Sequence, residues 1–261
     1  MGIAALLAAA SLAATPVSYV QTHQQPEGGF SEARGTSSSQ LTAWAALGLR
    51  ASGRETGRAL EYLQAHEDEV GAPTAIALVA AAEAALGADS GRLLERLPNR
   101  PRAVNEAIWT LIALRQARRQ APKSLVNYVL RSQAPRGGFA WARGIPPDSN
   151  DTAFAIQALR AAGVRGRPVS RALAFLRTFE RRDGGFELTR GRGSDAQSTA
   201  VAIQAFVAAG ATPPGRAFRY LAGLQQPDGS FRYSRRYAAT PVWVTSQVLP
   251  ALARKAFPLP S

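Results

Sequence analysis

The strongest constraint on the fold is a repeated segment that reads as a capped, alanine-rich amphipathic helix. Its clearest copy runs from Pro146 to Gly163, PPDSNDTAFAIQALRAAG, and it recurs at residues 193–210 and 36–53. Each copy opens on helix-capping residues and ends on a glycine, and all three share a threonine at the same place: Thr42, Thr152 and Thr199. Internal repetition of this kind indicates a fold built of stacked helical units.

A second segment alternates with the first and joins a short helix to a glycine turn. It has a glutamine or glutamate six residues before a phenylalanine, in residues 17–30, 126–139, 173–186 and 218–231. A glycine stands two residues before each phenylalanine: Gly28, Gly137, Gly184 and Gly229. We predict that these glycines end helices in the left-handed conformation, which costs other residues about 1 kcal/mol. The phenylalanines should then return the chain to the core.

Three weaker copies of the first segment continue at Thr74, Glu106 and Thr245, which gives twelve helices in six pairs between Pro16 and Phe257. The helices of the first segment are apolar nearly all round and therefore belong inside. We predict an all-α fold, an α/α toroid with six inner helices ringed by six outer ones. Six repeats without a polar capping repeat favour this closed ring over an open TPR-like superhelix. Strand pairing should be limited to loops, at residues 139–141 and 231–233.

Composition excludes several kinds of site. The chain has no cysteine, so a disulfide scaffold, a thiolate metal site and a cysteine nucleophile are excluded. Its net charge is +13, and because only Lys123 and Lys255 are lysines, arginine supplies 29 of the 31 basic residues. These arginines are scattered rather than clustered in runs, so we expect no nucleic-acid partner. An anionic cell envelope is the expected neighbour for this charge.

The first residues suggest export. Ile3 to Ala14 is an apolar run of 12 residues, too short for a membrane-spanning helix of about 20 residues but suited to a signal peptide. We therefore expect a signal peptide in residues 1–14, a single toroid domain in residues 15–261, and an extracellular or cell-envelope location. The basic region that precedes most signal cores is missing, so a first helix within the fold and a cytoplasmic location stay open.

The four glycine–phenylalanine segments resemble the QW-type repeat of the prenyltransferase and squalene-cyclase (terpenoid cyclase) superfamily. That repeat has a glutamine a few residues ahead of Gly-x-aromatic, as in QQPEGGF, QAPRGGF and QQPDGSF, with ERRDGGF as a variant. Phenylalanine replaces the family's usual tryptophan in all four. The resemblance covers nearly the whole chain after the leader and implies the toroid fold. It is less specific for activity, because function depends on sites grafted onto folds.

Two activities of that superfamily conflict with the sequence. Zinc-dependent protein prenyl transfer needs a cysteine and a histidine, whereas His23 and His66 sit at matching outer-helix positions without any cysteine. We therefore expect no metal and no cofactor. Class II cyclases of the squalene–hopene type protonate an alkene with Asp-x-Asp-Asp-Thr-Ala, and residues 148–153 read Asp-Ser-Asn-Asp-Thr-Ala. Asn150 replaces the proton-donating aspartate, and a carboxamide has no acidic proton to give. The larger cyclases also have a second helical domain, for which 261 residues leave no room.

The third activity is ligand binding without catalysis, and this is our leading hypothesis: an isoprenoid-like or other hydrophobic or amphipathic small molecule held in the toroid. The inner-helix N-termini should form a positively biased mouth. The candidate ligand-binding residues are Asn150, Asp195, Gln197, Trp44, Trp141, Tyr233 and Trp243, with Tyr237 nearby. Asp148 and Asp195 are predicted as helix caps. Asn150, Gln197 and Gln40 are predicted to share hydrogen bonds between helices.

Two enzymatic alternatives stay open. The first is a minimal class II terpenoid cyclase that uses Asp148 or Asp151 as its acid. The second is an α/α-toroid carbohydrate-active enzyme with Asp148 and Asp195 as its paired carboxylates. Arg143, Arg190, Arg192, Arg235 and Arg236 follow the glycine turns and are predicted to be solvated loop charges, with a basic rim on one face as the alternative. Oligomeric state is not determined by the sequence.

Overall fold

The structure is a computed structural model that describes residues 14–33 and 35–260, so the predicted signal peptide lies almost wholly outside the described residues. The helices over the described part are, in chain order, α1 (Pro16–Gln21), α2 (Ser39–Ala51), α3 (Ala59–Ala65), α4 (Pro73–Ala85), α5 (Gly91–Glu95), α6 (Val104–Gln116), α7 (Lys123–Arg131), α8 (Ser149–Ala161), α9 (Arg167–Arg177), α10 (Ala196–Ala209), α11 (Gly215–Ala222) and α12 (Pro241–Leu252). A short 3₁₀ helix, Glu67–Glu69, follows α3.

The even-numbered helices form a closed inner ring. Each packs against the next, and α12 packs back against α2. The odd-numbered helices lie outside this ring; α1, for example, packs against both α12 and α2. The last glycine turn also contacts the start of the fold, because a Cβ on Gly229 would lie 2.5 Å from the carbonyl oxygen of Thr15. The predicted α/α toroid is confirmed.

The glycines of the glycine–phenylalanine turns have the predicted positive φ, between 87° and 100° at Gly28, Gly137, Gly184 and Gly229. The prediction that these glycines end helices is wrong, because α1, α7, α9 and α11 end six or seven residues earlier and the glycines lie in separate turns. The phenylalanines that follow them are at most 1% exposed. Each phenylalanine amide donates a 2.9 Å hydrogen bond to the hydroxyl of an inner-helix threonine, in the pairs Phe30–Thr42, Phe139–Thr152, Phe186–Thr199 and Phe231–Thr245. The recurrent threonine therefore satisfies a buried amide, which fixes the turn against the inner helix.

The glutamine that recurs in these turns acts as a clamp, because its side chain connects two segments of the backbone. Gln133 Nε2 donates to the carbonyl oxygens of Gly137 and Pro168, each at 2.8 Å, and so joins its own turn to the start of the next outer helix. In the variant copy Glu180 cannot donate, and it instead accepts a 2.5 Å hydrogen bond from Nε of Arg216. A charged pair thus replaces the carboxamide clamp at the same place.

Two of the weaker repeats are shifted from their predicted register. Thr42, Thr152 and Thr199 are the fourth residues after the helix caps Ser38, Asp148 and Asp195. The caps of α4 and α6 are Ala72 and Ala103, so the corresponding residues are Ile76 and Ala107 rather than Thr74 and Glu106. These copies lack the glycine–phenylalanine loop, and hence the threonine bond that marks the register.

Strand pairing is minor, as predicted, but its position differs. β1 (Phe186–Glu187) pairs with β2 (Ser194–Asp195) in antiparallel fashion. The predicted pairings at residues 139–141 and 231–233 are reduced to single bridges, Phe139 with Asp148 and Gln225 with Phe231. Over the described residues, no helix is long and apolar enough to cross a membrane.

The middle of the ring is filled by what we call the aromatic layer: Trp44, Trp109, Phe154 and Trp243. The Trp44 and Phe154 ring centroids lie 6.3 Å apart although α2 and α8 are opposite each other in the ring. Trp109 contacts both, with centroids at 5.5 and 4.8 Å. These side chains therefore span the ring and close its interior at this level.

Candidate functional site

The N-terminal ends of the inner helices surround one face of the ring, which we call the mouth. Loop carbonyls already accept hydrogen bonds from several helix amides there: Asn105 N donates to Trp141 O, Ser149 N to Leu188 O and Ala196 N to Tyr233 O. The α12 amides of Val242 and Trp243 donate to the Glu32 carboxylate. The expected display of free helix amides is therefore largely absent at these four helices. A ligand at the mouth would contact mainly side chains.

Asp148 is the cap of α8, as predicted, because its Oδ1 accepts a 2.8 Å hydrogen bond from the Asp151 amide. Asp151 itself is buried, and its Oδ1 accepts a hydrogen bond from Nδ2 of Asn105 on α6. Burial, together with the Asp148 charge, raises the pKa of Asp151 to about 8. Burial also raises the pKa of Asp148. The two carboxyls therefore bind a proton more readily than free carboxyls do.

Asn105 is a site residue that the sequence reading missed. In α6, Ala107 takes the position that the threonine has in the other repeats. Asn105 lies two residues before Ala107, just as Asn150 and Gln197 lie two residues before the threonines of α8 and α10. The corrected register is the signal that would have found it. Among the described residues, no hydrogen bond joins Asn150, Gln197 or Gln40 to a neighbouring helix, so the predicted inter-helix sharing is wrong for these three. It holds for Asn105 alone, through Asp151.

Asp195 caps α10 as predicted, and its carboxylate accepts hydrogen bonds from the amide and hydroxyl of Ser198. No residue equivalent to Asp151 stands beside it, so it is not half of a carboxyl pair. Burial raises the pKa of Asp195, and the neighbouring Arg192 opposes this rise. The paired-carboxylate role of Asp148 and Asp195 stays a prediction.

A cleft of about 550 Å³ opens beside Asp195 at the mouth. It brings together two predicted ligand-binding residues, Asp195 and Tyr233. Its remaining lining residues include Arg192, Arg235, Arg236, Tyr220 and Tyr237. Arg235, Arg236 and Tyr237 are solvent-exposed. None of the three arginines of the cleft, Arg192, Arg235 and Arg236, forms an ion pair with a described residue. Three of the five arginines predicted to be loop charges thus line one cleft, whereas Arg143 stacks on Tyr128 of α7 and Arg190 stacks on Phe179, two residues after α9.

The other predicted ligand-binding residues do not converge on this cleft. Trp44 is 6% exposed and belongs, with the half-buried Trp243, to the aromatic layer, so neither lines an open cavity. Trp141 is 56% exposed on the loop before α8. Asn150 and Gln197 are half-buried at the mouth. A ligand role for these residues stays a prediction.

The two histidines occupy the repeat positions predicted for them. The rings of His23 and His66 pack on Tyr19 and Tyr62, and each Nδ1 hydrogen-bonds to the backbone carbonyl of that tyrosine. Over the described residues, no three histidine, aspartate or glutamate side chains come close enough together to hold a metal ion.

Residues 98–234 match the prenyltransferase α/α-toroid domain family. No curated protein sequence matches the chain. Among solved structures, ent-copalyl diphosphate synthase from Streptomyces platensis is 21% identical with a TM-score of 0.61, over 83% of this chain and 50% of that one. The chain thus spans half the length of that synthase.

Type II terpene cyclase MstE from Scytonema is 16% identical with a TM-score of 0.70, over 91% of this chain and 95% of that one. A variant of the same cyclase in complex with its substrate, geranylgeranyl dihydroxybenzoate, is 13% identical with a TM-score of 0.65, over 92% and 95% of the two chains. At these identities the likeness shows the fold alone.

Proposed function

Because the chain belongs to the prenyltransferase α/α-toroid domain family, we propose that it binds an amphipathic, isoprenoid-type molecule at the mouth of its ring and does not transform it. The observation that carries this proposal is the cleft beside Asp195. Its volume of about 550 Å³ is within the range of about 300–1,000 Å³ that is usual for small-molecule sites. Exposed arginines and tyrosines at one edge suit a ligand with an anionic head and an apolar body.

The charge of the cleft comes mainly from side chains that are free to bind. Arg192, Arg235 and Arg236 face two aspartates, Asp183 and Asp195. Asp195 is buried and bonded as a helix cap, whereas Asp183 is exposed and its Oδ1 accepts from the Gly185 amide and the Ser194 hydroxyl. The three arginines outnumber the two aspartates, so the cleft is positive on balance, and guanidinium groups favour carboxylate or phosphate groups.

The closed interior supports binding without cyclisation. Folding a long isoprenoid into rings requires a cavity that encloses it, whereas here the aromatic layer spans the ring. The residue at the acid position of the resembling motif is Asn150, which cannot donate a proton to an alkene. The substrate named for the Scytonema cyclase, geranylgeranyl dihydroxybenzoate, combines an isoprenoid chain with an acidic aromatic head. A ligand of that class fits the arginine-lined cleft.

The test is titration of the purified protein with geranylgeranyl diphosphate and with geranylgeraniol, followed by calorimetry. We expect Arg235→Gln combined with Arg236→Gln to weaken diphosphate binding by about tenfold or more, since each charged hydrogen bond is worth about 1.5–3 kcal/mol. Geranylgeraniol, which lacks the anionic head, should be affected much less. Arg100→Gln combined with Arg165→Gln removes two exposed arginines elsewhere and is the matched control. Equal losses in both double variants, or no saturable binding to the parent, would contradict the proposal.

A second candidate function, a minimal type II terpene cyclase, is favoured by the Asp148–Asp151 pair. Burial raises the pKa of Asp151 to about 8, and one helical turn further along α8 lies Phe154 of the aromatic layer, whose π faces suit a carbocation. The match with this chain covers 95% of the Scytonema cyclase, so the length of the chain does not argue against a cyclase function. The cyclase hypothesis replaces the binding hypothesis if the unmodified protein converts a geranylgeranyl substrate and Asp151→Asn abolishes this conversion while Asp195→Asn does not.

A further inference from the structure

Residues 256–260, which we call the stopper segment, place two apolar side chains inside the ring, while Pro260 is exposed. They follow α12 and occupy the end of the ring opposite the mouth, which we call the base. Phe257 is 2% exposed and Leu259 is 5% exposed, so both are as buried as the core of the inner helices. The segment has no helical or strand structure. Its burial therefore depends on contacts with the inner helices.

Two inner-helix glutamines hold the backbone of the stopper segment. Gln157 Oε1 accepts a 2.8 Å hydrogen bond from the Phe257 amide. Gln116 Oε1 accepts a 2.6 Å hydrogen bond from the Leu259 amide, and Gln116 Nε2 donates to the Leu259 carbonyl oxygen at 3.2 Å. The segment is thus bound by a few side chains that face into the ring, as an extended ligand would be. Pro258 and Pro260 have no amide to add to these bonds.

Phe257 lies directly beneath the aromatic layer. Its ring centroid is 6.0 Å from that of Trp44 and 6.5 Å from that of Trp109. Without Phe257, both tryptophan rings would border empty volume and would have room to turn. The closed interior of the ring therefore depends partly on the stopper segment.

On the side of the ring away from Gln157, two buried glutamine side chains lack a hydrogen-bond partner for their oxygen among the described residues. Gln204 occupies in α10 the repeat position that Gln157 occupies in α8, and its Oε1 has no hydrogen-bond partner among the described residues. The same holds for Gln247 Oε1 on α12, and both glutamines are 1% exposed. Unpaired buried acceptors are costly, so the closed interior contains polar groups that its packing does not satisfy. At the base, a cleft of about 810 Å³ lies beside Pro258, Leu259 and Pro260.

We propose that the stopper segment competes with an apolar chain for the interior of the ring, and that its displacement opens this interior from the base. The identity of the competitor as an isoprenoid-type chain rests on the proposed function. The competition itself rests on the buried position of Phe257, its few glutamine bonds, and its contact with Trp44 and Trp109. The mouth cleft and the ring interior beneath the aromatic layer are then two separate sites.

Hydrogen exchange on the unmodified protein tests displacement without any variant. The probe is geranylgeraniol, whose neutral head makes little use of the mouth arginines. We expect its addition to accelerate exchange at the Phe257 and Leu259 amides, while the amides of the α10 core stay protected. If the segment is ordinary core, the probe leaves exchange at these two amides unchanged or slows it, and the proposal is overturned.

A variant pair tests the competition. If the ring is open in about one molecule in ten, then weakening the stopper segment should tighten geranylgeraniol binding by up to about tenfold. We expect this for Leu259→Ala and for the more severe Phe257→Ala, measured by tryptophan fluorescence. Leu252→Ala changes a leucine that is 40% exposed on α12 and should leave binding unchanged. Unchanged or weaker binding in folded Leu259→Ala would overturn the proposal.

The outcome is separable from that of the proposed function. Geranylgeranyl diphosphate binding at the mouth depends on Arg235 and Arg236, whereas the stopper segment is tested with the neutral alcohol. Loss of the arginine effect with a retained Leu259→Ala effect would overturn the mouth site alone. The reverse result would overturn the stopper alone.

Discussion

Glu83 on α4 is predicted to make the fold less stable as pH rises through neutrality. Its side chain is fully buried, and neither carboxylate oxygen has a hydrogen-bond partner among the described residues. Glu67 of the 3₁₀ helix adds a like charge nearby, and Arg92 lies 3.7 Å from Glu67 rather than beside Glu83. Burial, reinforced by Glu67, raises the pKa of Glu83 from 4.5 to about 8.

The sign and size of the effect follow from proton binding. Between pH 4.5 and about 8 the folded protein keeps a proton on Glu83 that the unfolded chain has released, so the free energy of unfolding falls as pH rises. The difference is about 3.5 units, which at about 1.4 kcal/mol per unit gives at most about 5 kcal/mol. Water penetration and relaxation reduce such figures, so we expect about 2–5 kcal/mol.

Glu83→Gln removes this titration and leaves the shape of the side chain nearly unchanged. We expect the free energy of unfolding of the variant, measured in urea from about pH 5 to about pH 9, to rise relative to the parent by up to about 1.4 kcal/mol per pH unit and then level off. Asp151 titrates in the same window in both proteins, so only the difference between their curves reports on Glu83. The exposed Glu95→Gln is the control. Parallel curves for Glu83→Gln and the parent would refute the reasoning.

Two further changes test the glycine–phenylalanine turns by thermal and urea unfolding. Thr152→Val should cost about 1–3 kcal/mol, because the buried Phe139 amide loses its acceptor; a cost near zero would show that the threonine does not fix the turn. Gly137→Ala should destabilise more than Gly163→Ala, which carries only the strain of positive φ at about 1 kcal/mol. The new Cβ at residue 137 would also lie 2.5 Å from Arg171 O, and equal costs at both glycines would contradict this clash.

Most of the fold could be predicted from the sequence because each repeat states the same physical requirement again. A glycine is needed where φ is positive, and a threonine is needed where the Phe139 amide is buried. Where the loop is missing, neither requirement applies, and the register of α4 and α6 was misplaced by two residues and one residue. The register of a repeat that lacks this glycine and threonine cannot be predicted from them.

Less of the site could be predicted, because its contacts join residues far apart in the sequence. The cap role of Asp148 is local and was predicted correctly. The bond from Asn105 to Asp151 required the register of α6, and the bonds of Gln116 and Gln157 to residues 257–259 required the ring to be closed first. The orphaned carboxyl of Glu83 likewise depends on packing between elements.

The residues that determine how much of the ring interior is filled stand at a position that the repeat does not restrict. Two residues after the threonine position, the six inner helices present Trp44, Leu78, Trp109, Phe154, Val201 and Gln247. Each of these residues is compatible with the repeat, because its neighbours in the ring can bury any side chain at this level. Yet three large aromatics on α2, α6 and α8 close the interior, whereas leucine or valine at those places would leave a cavity. The free space inside this toroid is therefore set by the sizes of a few side chains at one level and by what the stopper segment leaves beneath them.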